Sequence, residues 1–272
     1  MGKIILLNTP IGNLGDLTPR VLEALKSGHL FAAEDTRVFK DLLGHLGISI
    51  AGKKILSLHD QSEGTQVIRL LELARHEDLY VTSDAGSPVI SDPAYPLITA
   101  ALKEGFKLES FSGVSSPVMA LELSGLPPMP FHFHGFLPRE KGKKNKAFDS
   151  LNHGTNIFFE APTRIEETMD LLQDEYADFQ VVLVRELSKK FEQVVRLKAG
   201  EWATVKKEVM MKGEFVLLIH QPQESRASTT GLTQLAQEIL AKGPAPKALA
   251  KLLAEILDRP TKEIYTELMQ KK

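Results

Sequence analysis

Over residues 1–112 short apolar runs alternate with stretches in which apolar positions recur at helical spacing. Positions 4–7 form the first run. After a glycine-bearing loop, Val21, Leu22 and Leu25 mark one helical face, with Thr18 placed to cap it and Pro19 at its first position. A second run spans 30–33. Either Asp35 or Thr36 then caps a helix whose face is Val38, Phe39, Leu42, Leu43 and Leu46, ending at Gly47. Positions 79–82 predict another strand, 96–102 a helix stopped near Gly105, and 106–111 a return to extended chain. Such alternation predicts an open, mainly parallel α/β sheet. Ligands of these sheets sit beyond the carboxyl ends of the strands. TPIGN, AAEDTR, SDAGSP and SGVSS each follow a predicted strand, so they should gather on one edge.

A second α/β lobe is expected over 113–224. Ser116 and Pro117 start a helix that ends by Gly125. Strands are predicted in PFHFHGF and at 156–159, 181–184, 193–197 and 215–220, with helices near 163–176 and 201–211. The small, polar tract ESRASTTG (224–231) reads as a linker. From 225 to 272 a small extension is expected, with three helical segments broken at Gly243-Pro244 and at Pro260.

Composition narrows the chemistry. The 272 residues suffice for two cores, and 43% hydrophobic with 25% charged residues is ordinary for a soluble globular protein. A net charge of −2 supplies no global pull toward nucleic acid or membrane, so any basic patch is local. The absence of cysteine excludes disulfides, thiolate metal sites and a cysteine nucleophile, and fits a cytoplasmic setting. No apolar run approaches the ~20 residues that span a bilayer. The apolar run at the N-terminus is too short for a signal peptide and reads as a strand.

TPIGNLGD lacks both the G-x-G-x-x-G spacing of a dinucleotide loop and the Lys-Ser/Thr of a P-loop. Asp16 sits just before a helix start, where it would repel a phosphate. A ligand with a neutral adenosine and a cationic centre meets no such objection; a purely structural two-glycine turn is the alternative.

TPIGNLGDLTPRVLEALK, AAEDTR, SDAGSPVISDP, SGVSSPVMALELSGLP, FHGFLPR, FFEAPTRIEETM, VRELSK and GEFVLLI occur in the order seen in the RsmI family. The sequence resembles that family over essentially all of its first 220 residues. These are 16S rRNA (cytidine-2′-O)-methyltransferases of the tetrapyrrole methylase superfamily. The pattern departs from the family at SGVSSP, where relatives commonly have PGPSA, and at SLHDQS (57–62), where a more His/Asn-rich run is usual. The resemblance implies two α/β lobes of tetrapyrrole-methylase type with S-adenosylmethionine (SAM) in the cleft, a homodimer, and small-subunit rRNA or the 30S subunit as partner. It assigns Leu14, Asp84, Ala85, Gly86, Ser87, Pro88, Ile90, Ser115, Ser116 and Glu160 to the cofactor. Neither a membrane nor DNA is expected as a partner, and no metal.

Methyl transfer to a ribose hydroxyl gains most from alignment of the partners, with a base adding roughly 10²–10⁴. Glu34 and Asp35 are the first candidates; Asp84, Asp92 and Glu160 are further strand-end carboxylates, and helix capping competes for Asp35 and Asp92. RNA binding requires local positive charge. PREKGKKNK, read as a flexible loop near the cleft, offers Arg139, Lys141, Lys143, Lys144 and Lys146; Arg37, Arg164, Arg185 and Lys189 lie on other motif loops. His132 and His134 should share one strand face without a third ligand at a recognisable spacing. The terminal helices, with charge near zero, read as a packing or RNA-docking appendage rather than a DNA-reading helix-turn-helix. Two other readings stay open: a corrin or porphyrinogen C-methyltransferase of the same superfamily, and a non-catalytic RNA-binding assembly factor.

Overall fold

The computed structural model describes residues 2–58, 64–221, 246–257 and 260–270. Most of SLHDQS, the linker tract and the first of the three terminal helical segments therefore lie outside the described residues.

The first sheet is wholly parallel. Its strands β1 (Lys3–Leu7), β2 (Leu30–Ala33), β3 (Lys54–Ser57), β4 (Leu79–Thr82) and β5 (Lys107–Phe111) lie in the order β3-β2-β4-β1-β5. Helices α1 (Pro19–Ser27), α2 (Thr36–His45), α3 (Gly64–Ala74) and α4 (Tyr95–Lys103) connect them. One face is packed by a core of Leu70, Leu71, Leu97 and Phe106, the other by Leu25, Phe31, Phe39 and Leu43. Both faces are therefore covered, as parallel strands require.

Local chemistry sets the ends of these elements. Thr18 Oγ1 accepts the Val21 amide at 3.4 Å, and Pro19 opens α1 without wasting a donor. Of the two candidate caps for α2, Asp35 does the work, accepting the Arg37 amide at 2.8 Å. No expectation covered β3 or α3. β3 is four half-exposed residues with little apolar signal, whereas Val67, Leu70, Leu71 and Ala74 of α3 keep a readable helical spacing.

The helix α5 (Ser116–Ser124), ended by left-handed Gly125, leads to a mixed second sheet. Its strands are β6 (Phe131–Phe136), β7 (Thr155–Glu160), β8 (Gln180–Arg185), β9 (Gln193–Lys198) and β10 (Phe215–His220), ordered β6-β7-β10-β8-β9. Only the β6–β7 pair is parallel. One face carries Phe158, Ile165, Trp202 and Leu217; the other packs on α5 through Ala120 and Leu121 and reaches Ile11 of the first lobe.

Two expectations in this lobe need correction. PREKGKKNK is not a flexible loop: its second half begins α6 (Lys141–Asp149), because Lys144 and Phe148, four residues apart, turn one face inward. The helix expected over 201–211 is only α8 (Trp202–Val205), flanked by 3-10 turns at Ala199–Glu201 and Lys206–Glu208. The other long helix, α7 (Ile165–Glu175), lies where the periodicity placed it.

Residues 222–272 form a separate compact unit, in which helices Pro246–Leu257 and Thr261–Gln270 pack through Ala250, Ala254 and Ile264. Among the described residues no helix is long and apolar enough to cross a membrane.

The β1 and β5 loops pass so closely that a Cβ on Gly113 would lie 2.3 Å from Asn8 Cβ. Gly113→Ala should cost about 1–3 kcal/mol through forced backbone movement. Gly142→Ala in α6, where nothing lies within 4 Å, should instead be neutral or stabilising. Thermal unfolding of the two variants checks the contrast.

Candidate active site

In-register pairing of β2, β4, β1 and β5 brings their four following loops to one edge, and hydrogen bonds join them there. Thr9 and Gly86 exchange both backbone hydrogen bonds, at 2.9 and 3.0 Å. The Glu34 carboxylate accepts the Asp84 amide at 3.2 Å, and the Asp84 carboxylate accepts the Asp35 amide at 3.0 Å. Asn8 donates its side-chain amide to the Phe111 carbonyl at 2.7 Å. Gly86 has φ +79°, where a side chain would be strained, so bare backbone forms this part of the wall.

Beside this edge lies a cavity of about 410 Å³, of a size that takes one small organic ligand. The first lobe contributes Ile11, Ala85, Gly86, Ser87, Ile90 and Asp92, and the α5 start adds Ser115 and Ser116. Phe136, Phe159, Glu160, Leu187, Glu214 and Val216 close it from the second lobe. The lining includes acidic side chains but no lysine or arginine. A phosphate would therefore meet repulsion inside, whereas a cation and a flat neutral ring would be accommodated. The α5 N-terminus adds amide donors suited to a carboxylate.

TPIGNLGD, then, is a docking loop. Ile11 reaches the cavity, while Gly12 lets the Lys189 side chain pass so closely that a Cβ would lie 2.3 Å from Lys189 Cγ. Ser188 donates its hydroxyl to Asp16, joining the loop to the second lobe. Glu186 and Ser188, both with positive φ, flank the cavity-lining Leu187. Burial opposes ionisation of Glu186, but the Glu214 amide and the Lys189 ammonium overcome it and hold the carboxyl below its usual range.

The chain from 3 to 203 matches the family model for Tetrapyrrole (Corrin/Porphyrin) Methylases. The chain belongs to that family. As a member it is a methyltransferase that takes its methyl group from SAM, and the cavity fits that donor: an apolar wall, serine hydroxyls, and acidic lining for a sulfonium. Ribosomal RNA small subunit methyltransferase I of Halalkalibacterium halodurans is 35% identical over 97% of this chain and 93% of that protein. The protein of that name from Vibrio cholerae is 37% identical over 96% and 92%. Among solved structures, a diphthine synthase superposes with a TM-score of 0.60 at 15% identity, covering 80% of this chain and 90% of its own. A Thermus thermophilus uroporphyrin-III C-methyl transferase complexed with S-adenyl homocysteine gives 0.50 at 16%, covering 81% and 98%. These two share the fold.

Of the expected cofactor residues, Ala85, Gly86, Ser87, Ile90, Ser115, Ser116 and Glu160 line the cavity. Leu14, Asp84 and Pro88 do not. Leu14 is 43% exposed in the 3-10 turn Leu14–Asp16, and Ile11 takes the lining place. Pro88 is buried with its carbonyl accepting the Ala94 amide at 3.1 Å. Glu160 lines the wall, yet its carboxylate is engaged by protein groups. Oε1 accepts from the Ala161 amide (2.8 Å) and Arg164 (2.7 Å), and Oε2 from the Thr168 hydroxyl (2.8 Å).

That carboxylate also explains Lys144, whose place among phosphate-binding residues needs correction. Lys144 is 0% exposed; its Nζ donates to Thr168 Oγ1 at 2.8 Å and lies 3.6 Å from Glu160 Oε2. Arg185 is buried too, bonding the carbonyls of Lys212 and Phe191, and cannot face RNA as expected. Arg164 serves Glu160, and Lys189 pairs with Glu186 (3.1 Å) and Glu214 (3.0 Å). Arg139, Lys141, Lys143 and Lys146 stay exposed, with Lys141 paired to Glu175 and Lys143 to Glu140; Arg37 is exposed and pairs with Asp35.

Neither Glu34 nor Asp35 lines the cavity, although Glu34 bonds the residue preceding Ala85. Asp35 is a poor proton acceptor, because hydrogen bonds from the Arg37 side chain and amide hold its carboxyl far below the usual range. His132 and His134 lie with ring centroids 6.4 Å apart, engaged with the His153 carbonyl and the Asn156 side chain. Among the described residues no group of three metal-ligating side chains converges. Asp92, Glu214 and Phe136 also line the cavity, although the resemblance assigns none of them to the cofactor; the sequence offers Asp92 as a capping or catalytic carboxylate, and Phe136 and Glu214 sit inside FHGFLPR and GEFVLLI without a role read from either motif.

Lys144→Ala should destabilise the fold by about 3–5 kcal/mol, the usual effect of halving a buried ion pair. Lys146→Ala, on the exposed face, should stay within about 0.5 kcal/mol; urea unfolding distinguishes them. The lowered Glu186 pKa stabilises above the usual glutamate value of 4.5 and ceases to do so as pH falls through the folded value. The melting-temperature gap between wild type and Glu186→Gln should therefore narrow as pH drops below about 4.5.

Proposed function

We propose that the protein methylates the ribose 2′-oxygen of a cytidine in the decoding region of 16S rRNA. The observation that carries this reading is the near-full-length likeness, at 35–37% identity, to proteins named ribosomal RNA small subunit methyltransferase I. The physical layout supports it. The cavity is free of basic side chains, while Arg139, Lys141, Lys143 and Lys146 put positive charge outside it, where a phosphate backbone would run. That likeness, and a cavity with intact wall loops, favour this reading over a porphyrinogen C-methyltransferase and over a non-catalytic assembly factor.

Bound SAM supplies an electrophilic methyl group on a cationic sulfonium. The chain's residues hold and align. Gly86 leaves backbone bare for close approach, Ser115 and Ser116 offer hydroxyls and amides, and Asp92 adds a carboxylate to the lining, while that of Glu214 is paired with Lys189. Fixing two partners in line can supply most of the acceleration. Glu34 is the base this geometry favours over Asp35, since it sits against Asp84 beside the wall, whereas the Asp35 carboxylate is committed to Arg37 and the α2 cap. A homodimer and a cytoplasmic location belong to the same reading, and exposed Met129 and Phe131 at the start of edge strand β6 offer an apolar patch for the dimer.

Ribose methylation mapped across rRNA from cells with and without this protein should differ at a cytidine of the small subunit; an unchanged map contradicts the assignment. In a tritiated-methyl assay, Glu34→Gln should lower kcat by roughly 10²–10⁴ with SAM affinity unchanged. Asp35→Asn should lower it far less.

A further inference from the structure

Phe136 is a large apolar side chain left 59% exposed although it lines the cavity. Its position depends on a backbone irregularity. The β6–β7 pairing shifts register between Phe133 and Phe136, and Gly135 within the shift has φ +72°. A bulge re-aims the side chain that follows it. Phe133 and Phe136 consequently both meet the Phe159 ring edge-on, at centroid distances of 4.9 and 5.3 Å. In an unbroken strand, residues three apart would point to opposite faces. Across the mouth, Ser91 also has positive φ, and its hydroxyl oxygen lies 3.5 Å from where a Gly135 Cβ would be. Two left-handed residues thus meet where the phenyl ring is presented.

Three residues beyond Phe136 the basic run begins at exposed Arg139. One short segment therefore carries an aromatic face at the cavity mouth and cations just outside. That combination recognises single-stranded RNA, in which an unstacked base lies on an aromatic ring while basic groups follow the backbone.

We infer that Phe136 is the stacking platform for the base of the nucleotide being methylated, a positioning residue that holds its ribose at the cavity mouth. The inference rests on the rRNA reading and goes beyond it by naming the contact with the base. Its competitor is a phenyl ring that packs on the methyl donor.

The test uses the full-length protein with small ribosomal subunits and compares Phe136→Leu with Phe136→Trp. SAM affinity is measured by titration calorimetry, and KM for the subunits by tritiated-methyl transfer. Phe136→Leu should raise that KM roughly 5–100-fold, the range of lost base stacking. SAM affinity should stay within about twofold, which also shows that the cavity is intact. Phe136→Trp should restore KM to near wild type. Because no phosphate contact is lost, the salt dependence of KM should keep its slope. A parallel fall in SAM affinity would overturn the inference, as would a leucine variant equal to wild type. If the wild-type protein itself transfers no methyl to subunits, the rRNA reading fails first, and that outcome is distinct from both.

Discussion

The parallel register of β2, β4, β1 and β5 is the constraint on which the site depends. Four adjacent strands run the same way, so the loops that follow them have nowhere to go but one edge. Their proximity becomes a wall through the Thr9–Gly86 exchange and the Glu34–Asp84–Asp35 chain. The second lobe completes the enclosure by docking its Arg185–Lys189 turn onto the first loop, where Asp16 meets Ser188 and Gly12 admits Lys189. A side chain at Gly12 would collide with Lys189 in this docked turn, and one at Gly86 would be strained by its φ of +79°.

Charge is sorted by the same architecture. Cations that the motifs place near the cleft are turned away from its interior: Lys144 and Arg164 converge on the buried Glu160 carboxylate, and Arg185 holds carbonyls of neighbouring turns. Unbound, such groups would attract a phosphate into the donor's place. The exposed cations of α6 remain outside, suited to a polyanion that must approach without entering. A buried ion pair is a weak source of net stability. The Lys144–Glu160 contact therefore matters most as a geometric tie between α6 and the end of β7.

Much of this was legible along the chain. Thr18, Pro19 and Gly125 marked helix ends by local chemistry, and the four post-strand motifs announced a common edge. Local signals failed where tertiary partners decide the outcome. The burial of Lys144 requires Thr168 and Glu160 from elsewhere in the fold, so a basic run looked wholly solvated. Ile11 rather than Leu14 reaches the cavity because of how the loop docks on Lys189. Phe136 lies within FHGFLPR, yet its role was hidden, since its direction follows from a bulge that alternation cannot reveal. Asp35 did show its cap, and the Arg37 pair makes that structural duty dominant.

The most direct measurement is a crystal structure of the protein grown with SAM. The account predicts density between the Ala85–Ser87 segment and Ser115, with the sulfonium toward the acidic lining and the methyl facing the mouth beside Phe136. Donor density anywhere else on the molecule, with this cavity filled only by solvent, would contradict it.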